Sequence, residues 1–328
     1  MILITGANGF IGSYLCRELV NQGYEIRAIV RETADLSSLK DILTQIEIFK
    51  GDLLDLVRLE QAFEGITKVV HCAGKISFHP GDEKEMRSAN VDCTHNLVNM
   101  ALEKKISQFV HISSVAALAK DKGQEVVDEN SQWPGTATYS RYGESKYLGE
   151  LEVWRAHIEG LPSVIINPSI ILGAGNWNES SSKLFKYVWE GNKYFTRGHL
   201  NYVDVRDVVK IITTLLQRGI IGERFIINAG KIDYQSFFSS VAKNFSTRPP
   251  SVPISKTMET IALGFEKLRT FFTGKRQRIS REIFNGSRSN LLYDNRKIIK
   301  QTDFTFTPLQ DTLRWACGEL SGTLKNNK

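Results

Sequence analysis

The sequence predicts an α/β protein built on a doubly wound parallel sheet, with a smaller mixed lobe towards the C-terminus. Three observations carry this expectation. Short apolar runs alternate with amphipathic stretches at the pitch of right-handed βαβ crossovers. The runs are near-continuously apolar, as strands covered on both faces require. A glycine-rich turn, "TGANGFIG" at 5–12, joins the first strand to the first helix, a place where such sheets bind phosphate.

The elements follow in order. "MILIT" reads as a buried strand and "FIGSYLCRELVNQG" as a helix closed by Gly23. "EIRAIV" and "IEIFKGD" are the next strands, "DLVRLEQAFEG" a helix and "KVVHCAG" a fourth strand. A long helix is expected over 82–105, then strand "QFVHISS". "YSRYGESKYLGE" opens another helix, and "PSVIINPS" is a strand. Beyond Pro168 a polar loop, "GAGNWNESSSKLF", runs into a helix. "GHLNYVDVRDVVKIITTLLQRG" gives a short strand and a helix, and "RFIIN" a further strand. From Lys231 the helical segments are broken by "STRPPSVP" and "NGSRSN".

Composition bounds the function. The 328 residues are 41% hydrophobic and 24% charged, ordinary globular values with material for a large core. The formal charge is +6, but residues 256–281 alone hold seven Lys/Arg against two Glu. The remainder is near neutral, which argues against a nucleic-acid surface. The run "KRQRISR" within that window is read as a solvated helix end, in preference to an amphipathic membrane-surface or anionic-substrate element. Cys16, Cys72, Cys93 and Cys317 form no C-x-x-C pair, and the six histidines show no metal spacing, so no metal is expected. With no signal-peptide pattern and no apolar run long enough to span a bilayer, a reducing, cytoplasmic setting is the expectation.

The glycine turn is a dinucleotide site by its context. Gly6, Gly9 and Gly12 sit where a tight turn, close approach of phosphate and close helix packing exclude a Cβ. The loop residues Gly6, Asn8, Gly9, Phe10, Ile11 and Gly12 are therefore assigned to the cofactor. A free ribose 2′-hydroxyl would be met by an acidic residue at the end of the second strand. Here "RAIVRET" places Arg31 there, and a guanidinium suits a 2′-phosphate. NADP(H) is favoured over NAD(H), with Lys40 as a second candidate charge. Residues 1–167 are expected to form a Rossmann-type dinucleotide-binding domain. Residues 168–328 would be mainly a substrate lobe, with 200–230 returning to the core.

Within "YSRYGESKYLGE" Lys146 lies one helical turn beyond Tyr142, so phenol and ammonium share a face. Tyr139, three residues earlier, could point the same way. A nearby cation lowers a phenol's pKa from its usual value near 10, fitting it to exchange a proton with a carbonyl oxygen. A hydroxyl to orient that oxygen is offered by Ser113 or Ser114, at the carboxyl edge of "QFVHISS".

With the T-G-x-x-G-x-x-G loop and the Y-x-x-x-K pair, the chain resembles the extended short-chain dehydrogenase/reductases over most of residues 1–230. The "VR" after strand two and "NPSIILG" make it look most like the dihydroflavonol-reductase-like group. The resemblance selects Tyr142 with Lys146 as the catalytic pair, leaves Tyr139 to the pocket or packing, and selects Ser114, with Ser113 as fallback. It implies that Asp52 and Leu53 flank the adenine, and that Cys72, Ala73 and Gly74 line the cofactor. Pro168 and Ile171 would border the nicotinamide, and Asn90 would support the lysine. It makes Asp204, Arg206 and Asp207 structural ion partners, and Phe78 and His79 candidates for a substrate pocket. The implied function is NADPH-dependent reduction of a ketone or aldehyde on a small-molecule substrate, in a chain that could form homodimers. A nucleotide-sugar epimerase using NAD and a non-catalytic NADP-sensing regulator are the alternatives.

Overall fold

A computed structural model describes residues 1–118, 124–131, 133, 140–179, 181–273, 284 and 290–326. Its main sheet has seven strands: β1 (Ile2–Thr5), β2 (Ile26–Val30), β3 (Glu47–Lys50), β4 (Lys68–His71), β5 (Gln108–Ile112), β7 (Ser163–Pro168) and β11 (Glu223–Ile227). All pairs are parallel, in the order β11-β7-β5-β4-β1-β2-β3. Seven of the eight strands expected from the sequence form this sheet, and the short one within "GHLNYVDV" joins a smaller sheet. The order reverses direction between β1 and β4, which opens a crevice at their carboxyl ends.

Two apolar layers cover the sheet. On one face Leu15, Cys16 and Leu19 of α1 (Phe10–Asn21) meet Val208, Ile211 and Leu215 of α7 (Val205–Arg218). On the other, α2 (Leu56–Ala62), α4 (Cys93–Glu103) and α5 (Arg141–Ile158) pack through Leu59, Leu97, Val98 and Val153. The long helix expected over 82–105 divides into α3 (Glu83–Arg87), a π-helical turn at Ser88–Asp92 and α4. Such wide turns recur at functional sites, and this one carries Asn90.

A second core forms beyond β7. Strand β10 (His199–Asp204) lies parallel to β8 (Ile170–Leu172) and antiparallel to β12 (Gly230–Asp233). Phe185 of α6 (Ser182–Trp189), Phe237 of α8 (Tyr234–Phe245) and Leu313 of the helix Leu309–Asn326 fill its interior. Two short parallel pairs complete the strands. They are β6 (Val126–Val127) with β14 (Leu292–Tyr293), and β9 (Tyr194–Phe195) with β13 (Val252–Pro253).

Candidate active site

The phosphate turn is shaped by sterics. Gly6 has φ +64, and a Cβ there would lie 2.7 Å from the Ala73 backbone nitrogen. A Cβ on Gly12 would lie 2.2 Å from the Gly6 carbonyl oxygen. Gly9 is less constrained: its added Cβ would meet only the Gly6 oxygen, at 3.1 Å. Gly9 precedes α1 in an extended conformation and contributes no side-chain cap. The first-turn N–H groups of Phe10, Ile11 and Gly12 thus have no intrahelical acceptor and suit a pyrophosphate. Asn8 ties this turn to the loop after β2. Its Nδ2 donates to the Asp35 carbonyl at 3.1 Å, and its own carbonyl accepts from Ser38 Oγ at 2.8 Å. Arg17 reinforces that tie, reaching Asp41 through two bonds of 2.7 Å.

The surface at the end of β2 is open. Arg31 and Lys40 are both exposed, and Arg31 enters no ion pair among the described residues. Asp52 accepts from the Leu54 amide at 2.9 Å, beside the buried Leu53. Burial pushes the Cys93 thiol up to about 12, Asp52 and Asp92 adding to the rise and Arg31 opposing it. Arg31 and Asp52 therefore act on one locality, beyond the edge of β2.

The proton-handling groups gather where β5 meets α5. Ser140 caps α5 through Gly143 N (3.0 Å), and Gly143 is obligatory because a Cβ would lie 2.4 Å from the Ala116 carbonyl. Tyr142 lies beside Ser114, whose hydroxyl opposes the burial-driven rise of the phenol's pKa and accepts from Ala116 N at 3.1 Å. Ser113 is buried, with no partner for its Oγ. Between the two serines, the structure brings Ser114 to the tyrosine.

Lys146 is 5% exposed, and its Nζ donates to the Ile112 carbonyl at 2.8 Å. Desolvation lowers its pKa to about 8, opposed by the carboxylate of Glu150 one turn on. The expected lowering of the Tyr142 pKa is not found. Burial raises the phenol, the Ser114 bond lowers it less, and the ammonium is engaged by Ile112.

Three contributors escaped the sequence reading. Asn167 donates from one amide to the Ser114 carbonyl at 2.9 Å and to Glu150 at 2.5 Å, while Arg224 reaches the other Glu150 oxygen at 3.1 Å. This holds the serine's backbone and places a buried carboxylate beneath Lys146. The third is His71. Ala73 N donates to Thr5 Oγ1 (3.2 Å), Thr5 Oγ1 lies 2.7 Å from His71 Nδ1, and His71 Nε2 lies 2.9 Å from Thr94 Oγ1. Thr94 gives its proton to the Asn90 carbonyl at 2.9 Å, so the imidazole proton belongs on Nε2. Desolvation lowers the His71 pKa to about 3, keeping the ring neutral. A histidine ending the strand "KVVHCAG" was the available signal.

Asn90 is fully engaged. Its amide exchanges bonds of 2.7 and 2.9 Å with the Lys75 backbone and donates to Ser145 at 2.9 Å. It thereby clamps the Cys72–Ala73–Gly74 turn to α5, and a Cβ on Gly74 would sit 3.7 Å from Lys146 Nζ. Cys72 carries a thiol raised by burial. Pro168 is buried at the end of β7, and Ile171 is half-buried in β8. Phe78 sets its ring edge-on to Tyr142 at 6.3 Å. His79 turns to its own loop, accepting from Gly81 N at 3.0 Å. Asp204 caps α7, pairs with Arg206 and accepts from Thr312, while Asp207 holds Thr307. All three brace the C-terminal segment. Tyr139 lies outside the described residues.

Known proteins resemble this chain in sequence and in fold. Residues 2–230 match the model of the NAD dependent epimerase/dehydratase family. "Sterol demethylase protein B" of Methylococcus capsulatus is 30% identical over 234 residues, 69% of this chain and 68% of that protein. "Putative dihydroflavonol 4-reductase" of Synechocystis sp. is 30% identical over 245 residues, 73% of this chain and 71% of that protein. Among solved structures, gox2253 superimposes with a TM-score of 0.84 at 29% identity, over 98% of each chain. The NAD complex of UDP-glucuronic acid 4-epimerase from Bacillus cereus shares the fold, with a TM-score of 0.76 at 19% identity over 98% of each chain.

Proposed function

The chain belongs to the NAD dependent epimerase/dehydratase family, and from that premise we propose that it is an NADPH-dependent reductase of a ketone or aldehyde, reversible as an alcohol dehydrogenase. The observation that carries the proposal is the Tyr142–Ser114 hydroxyl pair with Lys146 buried one turn away. The Gly6 and Gly12 cradle, which a Cβ would fill, fits a dinucleotide. When bound, the nicotinamide supplies hydride to the carbonyl carbon.

The protein's own groups handle the oxygen. Ser114 donates to it and fixes its direction. Tyr142, still protonated because burial holds its pKa up, delivers the proton as negative charge develops. The Lys146 ammonium, seated on the Ile112 carbonyl, is assigned the ribose hydroxyls. Arg31, exposed and outside any described ion pair, is assigned the 2′-phosphate. Gly6, Gly9, Phe10, Ile11, Gly12, Asp52, Leu53, Cys72, Ala73, Gly74, Pro168 and Ile171 are assigned to the remainder of the cofactor. Residues 1–167 form the cofactor domain in this reading, and 168–328 the substrate lobe with 200–230 returning to the sheet.

Relatives described as a dihydroflavonol 4-reductase and as cinnamoyl-CoA reductases, including one from Petunia hybrida, support the reductase assignment. The epimerase alternative rests on fold likeness at 19% identity. The test is titration with NADPH and NADH, followed by a screen of ketones and aldehydes for NADPH consumption. Tighter NADH binding, or hydride returned to the same substrate without net oxidation, would transfer the assignment to an epimerase.

A further inference from the structure

The basic run "KRQRISR" lies outside the described residues. Within them, the charges that the proposed reaction leaves unused include a buried pair, Glu150 and Arg224. We infer that Glu150 is a positioning residue for that reaction: its carboxylate, fixed by Asn167 and Arg224, keeps Lys146 an ammonium in its dry seat on Ile112. The inference rests on the reductase reading for its use, and its test separates the two.

Glu150 follows Lys146 by one turn of α5, so the two side chains share a face. They are 1% and 5% exposed. No direct ion pair joins them among the described residues. Lys146 Nζ is engaged by the Ile112 carbonyl, and the carboxylate takes Asn167 Nδ2 at 2.5 Å and Arg224 at 3.1 Å. Their attraction acts across protein interior, where water screens it weakly.

The other titratable groups around the lysine are His71 and Cys72 at the end of β4, His111 of β5 and Tyr142 one turn back on α5. Desolvation holds both imidazoles neutral, and burial raises the thiol and the phenol, so none of the four is charged at neutral pH. Among the described residues Glu150 is thus the anion that acts on Lys146, opposing the desolvation that lowers the ammonium's pKa. Arg224 comes from β11, orients the carboxylate and partly neutralises it, so the pair sets how much negative field reaches the lysine. Asn167 donates both to Glu150 and to the Ser114 carbonyl. One amide on β7 therefore fixes the serine's backbone and the lysine's counter-charge together.

The test reads Lys146 itself, by NMR of the full chain carrying isotopically labelled lysine. Its signal is identified by absence in Lys146→Met. The wild-type midpoint is expected near pH 8. Glu150→Gln should move it down by about one pH unit, whereas Arg224→Gln should move it up, because the carboxylate is gone in one and unopposed in the other. The double variant, which leaves neither charge unpaired, should stay below wild type. NADPH affinity should fall at a correspondingly lower pH in Glu150→Gln. Thermal melts identify the folded variants, and the double variant stands in where a lone buried charge unfolds a single one. An unmoved midpoint in folded Glu150→Gln or in the double variant, or shifts of the same sign in the two single variants, overturns the inference and leaves the pair a fastening between α5 and β11. Opposite shifts without NADPH-dependent turnover uphold the role towards Lys146 and remove the reductase reading instead.

Discussion

Lys146 places its Nζ 2.8 Å from the Ile112 carbonyl, at the carboxyl end of the strand that leads to Ser114. The bond ties α5 to the sheet edge and withdraws the ammonium from water. Its pKa of about 8 comes mainly from that desolvation. The charged form prevails below this value and is lost above it. Cofactor affinity should therefore fall as pH rises through about 8, and Lys146→Met should remove the dependence while weakening binding. Fluorescence titration with NADPH across that range checks both. A pH-independent affinity in wild type would refute the role.

Tyr142→Phe removes the proposed proton donor and keeps the ring that Phe78 meets edge-on. Turnover should drop by about two to four orders of magnitude, the range for loss of a general acid, with NADPH affinity little changed. Steady-state kinetics beside equilibrium binding separate the two. If turnover survives, the tyrosine is not the acid. Loss of binding in step with turnover would show a structural role.

Arg31→Ala should weaken NADPH binding by roughly tenfold or more, in line with losing a charge-assisted hydrogen bond worth about 1.5–3 kcal/mol. NADH affinity should stay the same. Parallel loss for both nucleotides would mean that the guanidinium does not read the 2′-phosphate.

Gly12→Ala presses a Cβ to within 2.2 Å of the Gly6 oxygen, whereas Gly9→Ala meets only one atom at 3.1 Å. The first variant should lower Tm and lose nucleotide binding. The second should keep its Tm and lose binding only by crowding the phosphate. Calorimetry on both variants distinguishes them, and equal Tm losses would contradict the steric account.

His71 and His111 lie ring beside ring in the core, their centroids 5.2 Å apart, and both are held neutral by desolvation, His71 with a pKa of about 3 and His111 well below the ordinary histidine value. Unfolded histidines take up protons near pH 6.5, so below it the unfolded state binds more protons and stability must fall with pH. The slope is about 1.4 kcal/mol per pH unit for each such proton. Neither His111 nitrogen has a partner among the described residues, so His111→Phe should remove one proton from the slope without breaking a described bond. Urea unfolding at several acidic pH values measures this. An unaltered slope would mean that His111 is charged in the fold.

The site was only partly legible. The glycine turn and the Tyr142–Lys146 spacing are local features, visible because helix period and Cβ exclusion act within a few residues. The roles of His71, Glu150 and Asn167 were not visible, since each acquires its partners from chain segments far away. His71 needs Thr5 and Thr94, and Glu150 needs Arg224. The raised pKa of Tyr142 was invisible for the same reason: adjacency on a helix says nothing of the burial that raises it.

The sequence by itself determined the alternation of strands and helices and the phosphate turn, because apolar period and glycine sterics are local properties. Tertiary structure decided which hydroxyl faces Tyr142 and where the strand order reverses. Those outcomes depend on what the folded chain sets against each surface, and burial and pairing across the sheet are not written in any one segment.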